Sequence, residues 1–287
     1  MKPNVTVPRQ VNEAKYAADR ATSSKWVTRL ARLGYAVKGV VYLIIGGLAA
    51  KLAIGQGGAT TDQRGALQTI YEQPFGKFLL AVVAIGLLGF ALWSFIQAIY
   101  DTEGKGRDAK GIIARIGYAA VGVAYAALAF GAYQLVAGTG NVGQSSTSST
   151  QDWTTTLLKL PAGVALVVIV GLVVLGVALY LFAKAYTAKF QRRLNLAGVS
   201  AQLRKFVIFL GRFGYGALGV VFTIVGFFLI VAAIQFNPQK AKGLDTALRE
   251  LLRLPFGPLL LGIVALGLIA YGVYSFAEAR YRRVGRG

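Results

Sequence analysis

This sequence predicts an all-α membrane protein: six transmembrane helices, arranged as three parallel helical-hairpin repeats about a pseudo-threefold axis. Hydrophobic residues fill 55% of its 287 positions and charged residues only 15%, more apolar surface than one soluble core of that size can hide. One motif recurs as Arg32-x-Gly34-Tyr35-x3-Gly39-x2-Tyr42, Arg115-x-Gly117-Tyr118-x3-Gly122-x2-Tyr125 and Arg212-x-Gly214-Tyr215-x3-Gly219-x2-Phe222, each copy opening a long apolar run. In each copy a second signal opens another such run: Gln73-Pro74-Phe75-Gly76, Leu160-Pro161-Ala162-Gly163 and Leu254-Pro255-Phe256-Gly257.

The polar stretch 1–28 mixes Pro3, Pro8 and charges without a sustained helical period. It reads as a cytoplasmic tail or a short surface-lying helix from Val11 to Trp26. It lacks the apolar segment and cleavage site of a secretory signal, so the first span is expected to act as the insertion signal. Repeat one covers 29–105 with spans at 33–54 and 77–100, repeat two covers 112–190 with spans at 112–137 and 161–186, and repeat three covers 205–282 with spans at 207–235 and 257–279. At about 1.5 Å per residue, each run is long enough for a hydrocarbon core of about 30 Å. Because every unit crosses twice, all three enter from the same side and are related by rotation about the membrane normal.

Between the two spans of each repeat lies a short amphipathic piece: Ala66, Leu67, Ile70 and Tyr71; Trp153, Leu157, Leu158 and Leu160; Leu244, Leu248, Leu251 and Leu252. Their spacings predict helices lying flat at the outer interface. Asp62, Asp152 and Asp245 are read as their caps, and Pro74, Pro161 and Pro255 as the breaks that start the second spans. The Ser/Thr-rich insertion from Gly138 to Thr156 reads as a flexible loop.

Of the 31 Lys and Arg residues, 22 fall in the two termini and the two connections between repeats, eight in the opposite loops, and Lys38 inside a span. Positive loops stay in the cytoplasm, so both termini are expected there, in a multi-pass protein of the bacterial inner (plasma) membrane. The same one-sided pattern accounts for the formal charge of +20 without nucleic acid, because anionic phospholipids attract such loops. The absence of Cys and His removes disulfides, thiolate catalysis, imidazole metal ligands and the commonest proton shuttle. No metal or cofactor is expected. With nucleophile and base candidates reduced to scattered Ser, Thr and Tyr, neither is an enzyme.

Along a helix each repeated motif forms one stripe. Gly39, Gly46, Gly122, Gly219 and Gly226 read as a helix-packing seam, since small residues let spans approach closely where lipid offers no hydrophobic drive. At the cytoplasmic end, Arg32 with Tyr35, Arg115 with Tyr118 and Arg212 with Tyr215 either anchor each helix at the interface or contact an anionic lipid or other anion. If the stripes face the pseudo-axis three cations converge; if they face outward they snorkel. Lys38, which has Val121 and Leu218 as counterparts, is counted with these lipid or anion contacts, its long stem being expected to carry the ammonium back to the inner surface. Glu278 is placed at the inner edge, leaving no mid-span carboxylate for a proton relay.

The Arg-x-Gly-Tyr opening, the Pro-Phe/Ala-Gly entry and the closing Trp93-Ser94-Phe95, Tyr180-Leu181-Phe182 and Tyr274-Ser275-Phe276 resemble the bacterial membrane family of domain of unknown function 1206, over about 29–282. The resemblance implies tandem two-helix repeats, and no activity, cofactor or catalytic residue. The expected function is therefore a non-enzymatic membrane protein that binds anionic lipid or another membrane protein. The alternative is a passive channel or facilitator for a small solute or anion.

Overall fold

A chain inside a bilayer must satisfy its backbone polar groups internally, and each of the six apolar runs does so as one continuous helix. A computed structural model describes residues 25–57, 60–100, 106, 108–139 and 145–282. In chain order the helices are α1 (Lys25–Ala53), α2 (Gln63–Tyr71), α3 (Gly76–Tyr100), α4 (Ala109–Ala137), α5 (Ser146–Leu158), α6 (Gly163–Thr187), α7 (Ala201–Ile234), α8 (Leu244–Leu252) and α9 (Gly257–Tyr281). Six of them, α1, α3, α4, α6, α7 and α9, are long and apolar enough to cross a membrane, which makes this a multi-pass membrane protein. The expected tail and surface helix lie outside the described residues up to position 24; α1 is already helical at Lys25.

The start of α1 and the end of α9 share one face, here called basal; α2, α5 and α8 lie on the opposite, apical face. Each short helix turns into its span through the same Pro-x-Gly device. Phe75, Ala162 and Phe256 take φ of 61°, 60° and 60°, a left-handed conformation that costs a non-glycine residue roughly 1–2 kcal/mol. The spans then begin at Gly76, Gly163 and Gly257 rather than at the prolines. A side chain at any of the three would collide with the last turn of the preceding short helix, at Tyr71, Leu157–Leu158 or Leu252.

The apical helices cap one another. Asp62 accepts from Gly65 N at 2.8 Å and caps α2 as expected, and its second oxygen accepts from Ser146 N. Two other expectations change. Asp152 is exposed in the middle of α5, whose cap is Ser145, and Asp245 sits in the first turn of α8 after its cap Gly243. Asp245 instead accepts from Ser146 Oγ (3.0 Å), Thr147 N (3.2 Å) and Thr147 Oγ1 (2.6 Å), holding the start of α5. Residues 146–156 are therefore helix, not flexible loop, while 140–144 of the expected loop lie outside the described residues. Thr150, Thr154, Thr155 and Thr156 return their hydroxyls to carbonyls four residues back, so a composition that favours loops is accommodated within the helix once its N-terminus is tied.

Between repeats, α1 packs on α9, α3 on α4 and α6 on α7; within repeats, α1 packs on α3 and α7 on α9. Among the described residues the sixth interface of a closed ring, α4 on α6, has no comparable packing. Only 11% of α4's apolar stretch and 17% of α6's is buried, against 44–56% in the other spans. Glycine placement explains the difference. In repeat one Gly34 abuts Phe90 and Gly86 takes Val37; in repeat three Gly214 abuts Tyr271 and Gly267 takes Ala217. In repeat two the corresponding Gly117 meets nothing, and the second glycine is replaced by Val173, 60% exposed. One notch is gone, and the hairpin stands open.

Candidate functional site

The repeated stripe builds the boundaries between repeats. Gly39 receives Phe276, Gly122 receives Phe95 and Gly219 receives Phe182, in each case the phenylalanine of the preceding repeat or, for Gly39, of the last. One level toward the apical side, Gly46 packs on Ile269 and the Ala265 carbonyl, and Gly226 on Leu175. A missing Cβ on one helix thus admits a ring or a backbone from the next, the close approach that spans rely on.

The three arginines do not share a site. Arg115 donates to the carbonyls of Ala98 (2.6 Å) and Ile99 (2.9 Å) at the end of α3, and Arg212 to that of Tyr186 (3.1 Å) at the end of α6. Both cap the C-terminus of the preceding repeat's second span, where orphan carbonyls and the helix dipole favour a cation. Arg32 is exposed on α1. Tyr118 is half-buried on α4, while Tyr35 and Tyr215 are buried at the centre.

At that centre, in the basal half, all six spans contribute to one cluster. Lys38 does not snorkel: it is 5% exposed and donates to Glu278 Oε2 at 2.9 Å and to the Tyr271 hydroxyl at 3.3 Å. Its ammonium also lies 4.8 Å, 5.3 Å and 4.9 Å from the ring centres of Tyr35, Phe90 and Tyr271, a cage of π-faces that replaces part of its lost hydration. Glu278 stands three residues before the end of α9, at the basal end as expected, but it is not solvated there: at 2% exposure it is buried, and its Oε1 accepts from Arg282 at 2.7 Å. The lysine stays because removing two charges from water is affordable only where they meet each other and further donors. Arg282 in turn lies over the Tyr35 ring at 4.8 Å.

The aromatics carry the cluster outward. Phe90 meets Tyr125 of α4 at 4.5 Å, Tyr271 meets Tyr42 at 4.8 Å and Tyr215 at 5.3 Å, and the Lys184 ammonium of α6 sits 3.9 Å from the Tyr215 ring. After α6 the chain tucks Phe190 against Tyr215 and Tyr274, and Asn195 N donates to the Tyr281 carbonyl at 2.7 Å. This places the basic linker across the basal end of the cluster.

Sequence reasoning missed Glu278, Lys184 and the aromatic cage, although a signal was present. Counting four residues on from Trp93, Tyr180 and Tyr274 gives Gln97, Lys184 and Glu278, one polar residue at the same place in every repeat. Gln97 and Glu278 are 3% and 2% exposed, and Lys184 is half-buried. The arrangement can hold fixed charge in a low-dielectric centre. Among the described residues no group of three or more metal-ligating side chains is present.

Comparison with known proteins agrees with the repeats. The chain matches the family described as Domain of Unknown Function (DUF1206) over residues 33–101, 116–188 and 213–282. It is 36% identical over 259 residues to the "Uncharacterized protein YxxB" of Bacillus subtilis (strain 168), covering 90% of this chain and 92% of that protein. No solved structure matches. Three matched segments, each holding one Arg-x-Gly-Tyr stripe and one Pro-x-Gly entry, place this chain in the DUF1206 family.

Proposed function

We propose that the chain is a non-enzymatic protein of the bacterial plasma membrane, with both termini in the cytoplasm, whose basal face binds anionic phospholipid. The reading rests on an imbalance of charge. Arg29, Arg32, Lys189, Arg192, Arg204, Lys205, Arg212 and Arg280 are exposed around the basal helix ends. The described carboxylates on that side are Asp108, which caps α4, and Glu278, which is buried and paired. Cations ringed at one membrane surface attract anionic head groups by about 1 kcal/mol each.

Native mass spectrometry of the purified protein in equimolar phosphatidylglycerol and phosphatidylcholine tests the reading. Preferential retention of phosphatidylglycerol, weakening with salt, is expected. Equal retention of both, together with a pull-down from native membranes that recovers no protein partner, overturns it. A passive path along the pseudo-axis has less support, because side chains from all six spans meet there in direct contact.

A further inference from the structure

We infer that the open side of repeat two, between α4 and α6, holds one anionic phospholipid, with its phosphate on Lys184 and its acyl chains in the gap. The inference deepens the basal-lipid reading and rests on it, but it names one site where that reading names a surface.

Three independent observations meet there. The first is geometric: among the described residues α4 and α6 do not pack on one another as the paired spans of the other two repeats do, and both present apolar surface. Gly117 and Gly131 on α4 and Gly176 on α6 have nothing within 4 Å of where a side chain would begin. Ile113 and Ile116 on α4, whose counterparts Leu30 and Leu33 pack on Gly89 and Gly86 in repeat one, are 69% and 63% exposed, and Val173 on α6 is 60% exposed. An intramembrane gap of that composition is wetted by hydrocarbon, which names acyl chains as its occupant.

The second is charge. Lys38, Lys184 and Arg282 face a single carboxylate, Glu278, whose two oxygens are taken by Lys38 and Arg282. Among the described residues Lys184 has the Tyr215 ring and no carboxylate within ion-pair distance. Its counterparts in the two closed hairpins, Gln97 and Glu278, carry no positive charge. The cation thus occurs in the one repeat that is open.

The third is depth. Lys184 lies three residues before the end of α6, about 5 Å inside the basal helix terminus, the level at which a phosphodiester resides when its chains run up between two spans. A phosphate there gains a charge-assisted bond in a partly water-excluded place, and its chains cover the walls of α4 and α6. A soluble anion would satisfy Lys184 but leave both walls bare.

The test is crosslinking on the intact chain, using phosphatidylglycerol with a diazirine on one acyl chain in phosphatidylcholine nanodiscs. Expected is labelling on both α4 and α6 at the positions that face each other, removed by excess unlabelled phosphatidylglycerol and untouched by excess inorganic phosphate. Lys184→Gln lowers that labelling by about tenfold or more, the loss of one charge-assisted bond. Lys184→Arg restores it, and Lys159→Gln on the apical face leaves it unchanged. Labelling confined to outward faces, or equal with a phosphatidylcholine probe, overturns the site even where the basal face retains its anionic preference. Loss of that preference as well overturns both readings.

Discussion

Replacing Glu278 by Gln removes the one carboxylate of the central cluster, and the structure sets the size of the effect. Glu278 accepts two charge-assisted bonds, at 2.9 Å from Lys38 and 2.7 Å from Arg282, each contributing about 1.5–3 kcal/mol. Glutamine's oxygen can keep one of them, but the Lys38 ammonium is then left among three aromatic rings with no counter-charge. Stranding one member of a buried pair costs about 3–5 kcal/mol, which lowers the apparent melting temperature by roughly 10 °C on the scaling for chains of this size. Lys38→Leu, which installs the residue that repeat three carries at Leu218, costs less, about 1.5–3 kcal/mol, because Glu278 retains Arg282. The double variant strands no lysine and is expected to fall short of the summed single costs by at least about 2 kcal/mol. The assay is denaturant unfolding in detergent micelles followed by circular dichroism, on wild type, both singles and the double. A Glu278→Gln cost under about 1 kcal/mol, or additivity within about 0.5 kcal/mol, refutes the claim that the pair holds the bundle centre.

Three further outcomes follow from other parts of the molecule. Gly34→Ala brings a methyl group to 2.6 Å from Phe90 Cβ and 2.9 Å from the Gly86 carbonyl, and is expected to cost about 1–3 kcal/mol; the equivalent Gly117→Ala meets open space and is expected to stabilise α4 by about 0.5–1 kcal/mol, both read as melting shifts in one detergent. Arg115→Ala removes two bonds to the end of α3 and Arg212→Ala one to the end of α6, so hydrogen exchange in the last turn of the capped helix is expected to rise more for Arg115. Asp245→Ala releases Ser146 and Thr147, and amide exchange over 146–150 is expected to accelerate by about tenfold or more while the spans keep their protection.

The course of the chain was legible because its signals are local and repeated. An apolar run of span length needs only counting, and Pro-x-Gly marks where a short helix turns into a span. Other elements misled for equally physical reasons. A Ser/Thr run favours loops by composition, and it takes Asp245, nearly a hundred residues later, together with Asp62, more than eighty residues earlier, to anchor the start of α5. Asp152 stands where a cap was expected, yet Ser145 has that place. Lys38 and Glu278 are 240 positions apart; judged singly, each looks like a residue at a membrane edge.

The sequence by itself determined the six spans, their pairing into three hairpins and the seam of glycines, because backbone satisfaction in lipid and small-residue packing act on neighbouring turns of one helix. Only the tertiary structure decided that the arginines cap helix ends instead of converging, that a buried ion pair fills the centre, and that repeat two stands open. Those outcomes depend on which helix faces which. A bundle closes where both of two facing helices offer a notch, and Gly117 stays unfilled because its opposite number is Val173.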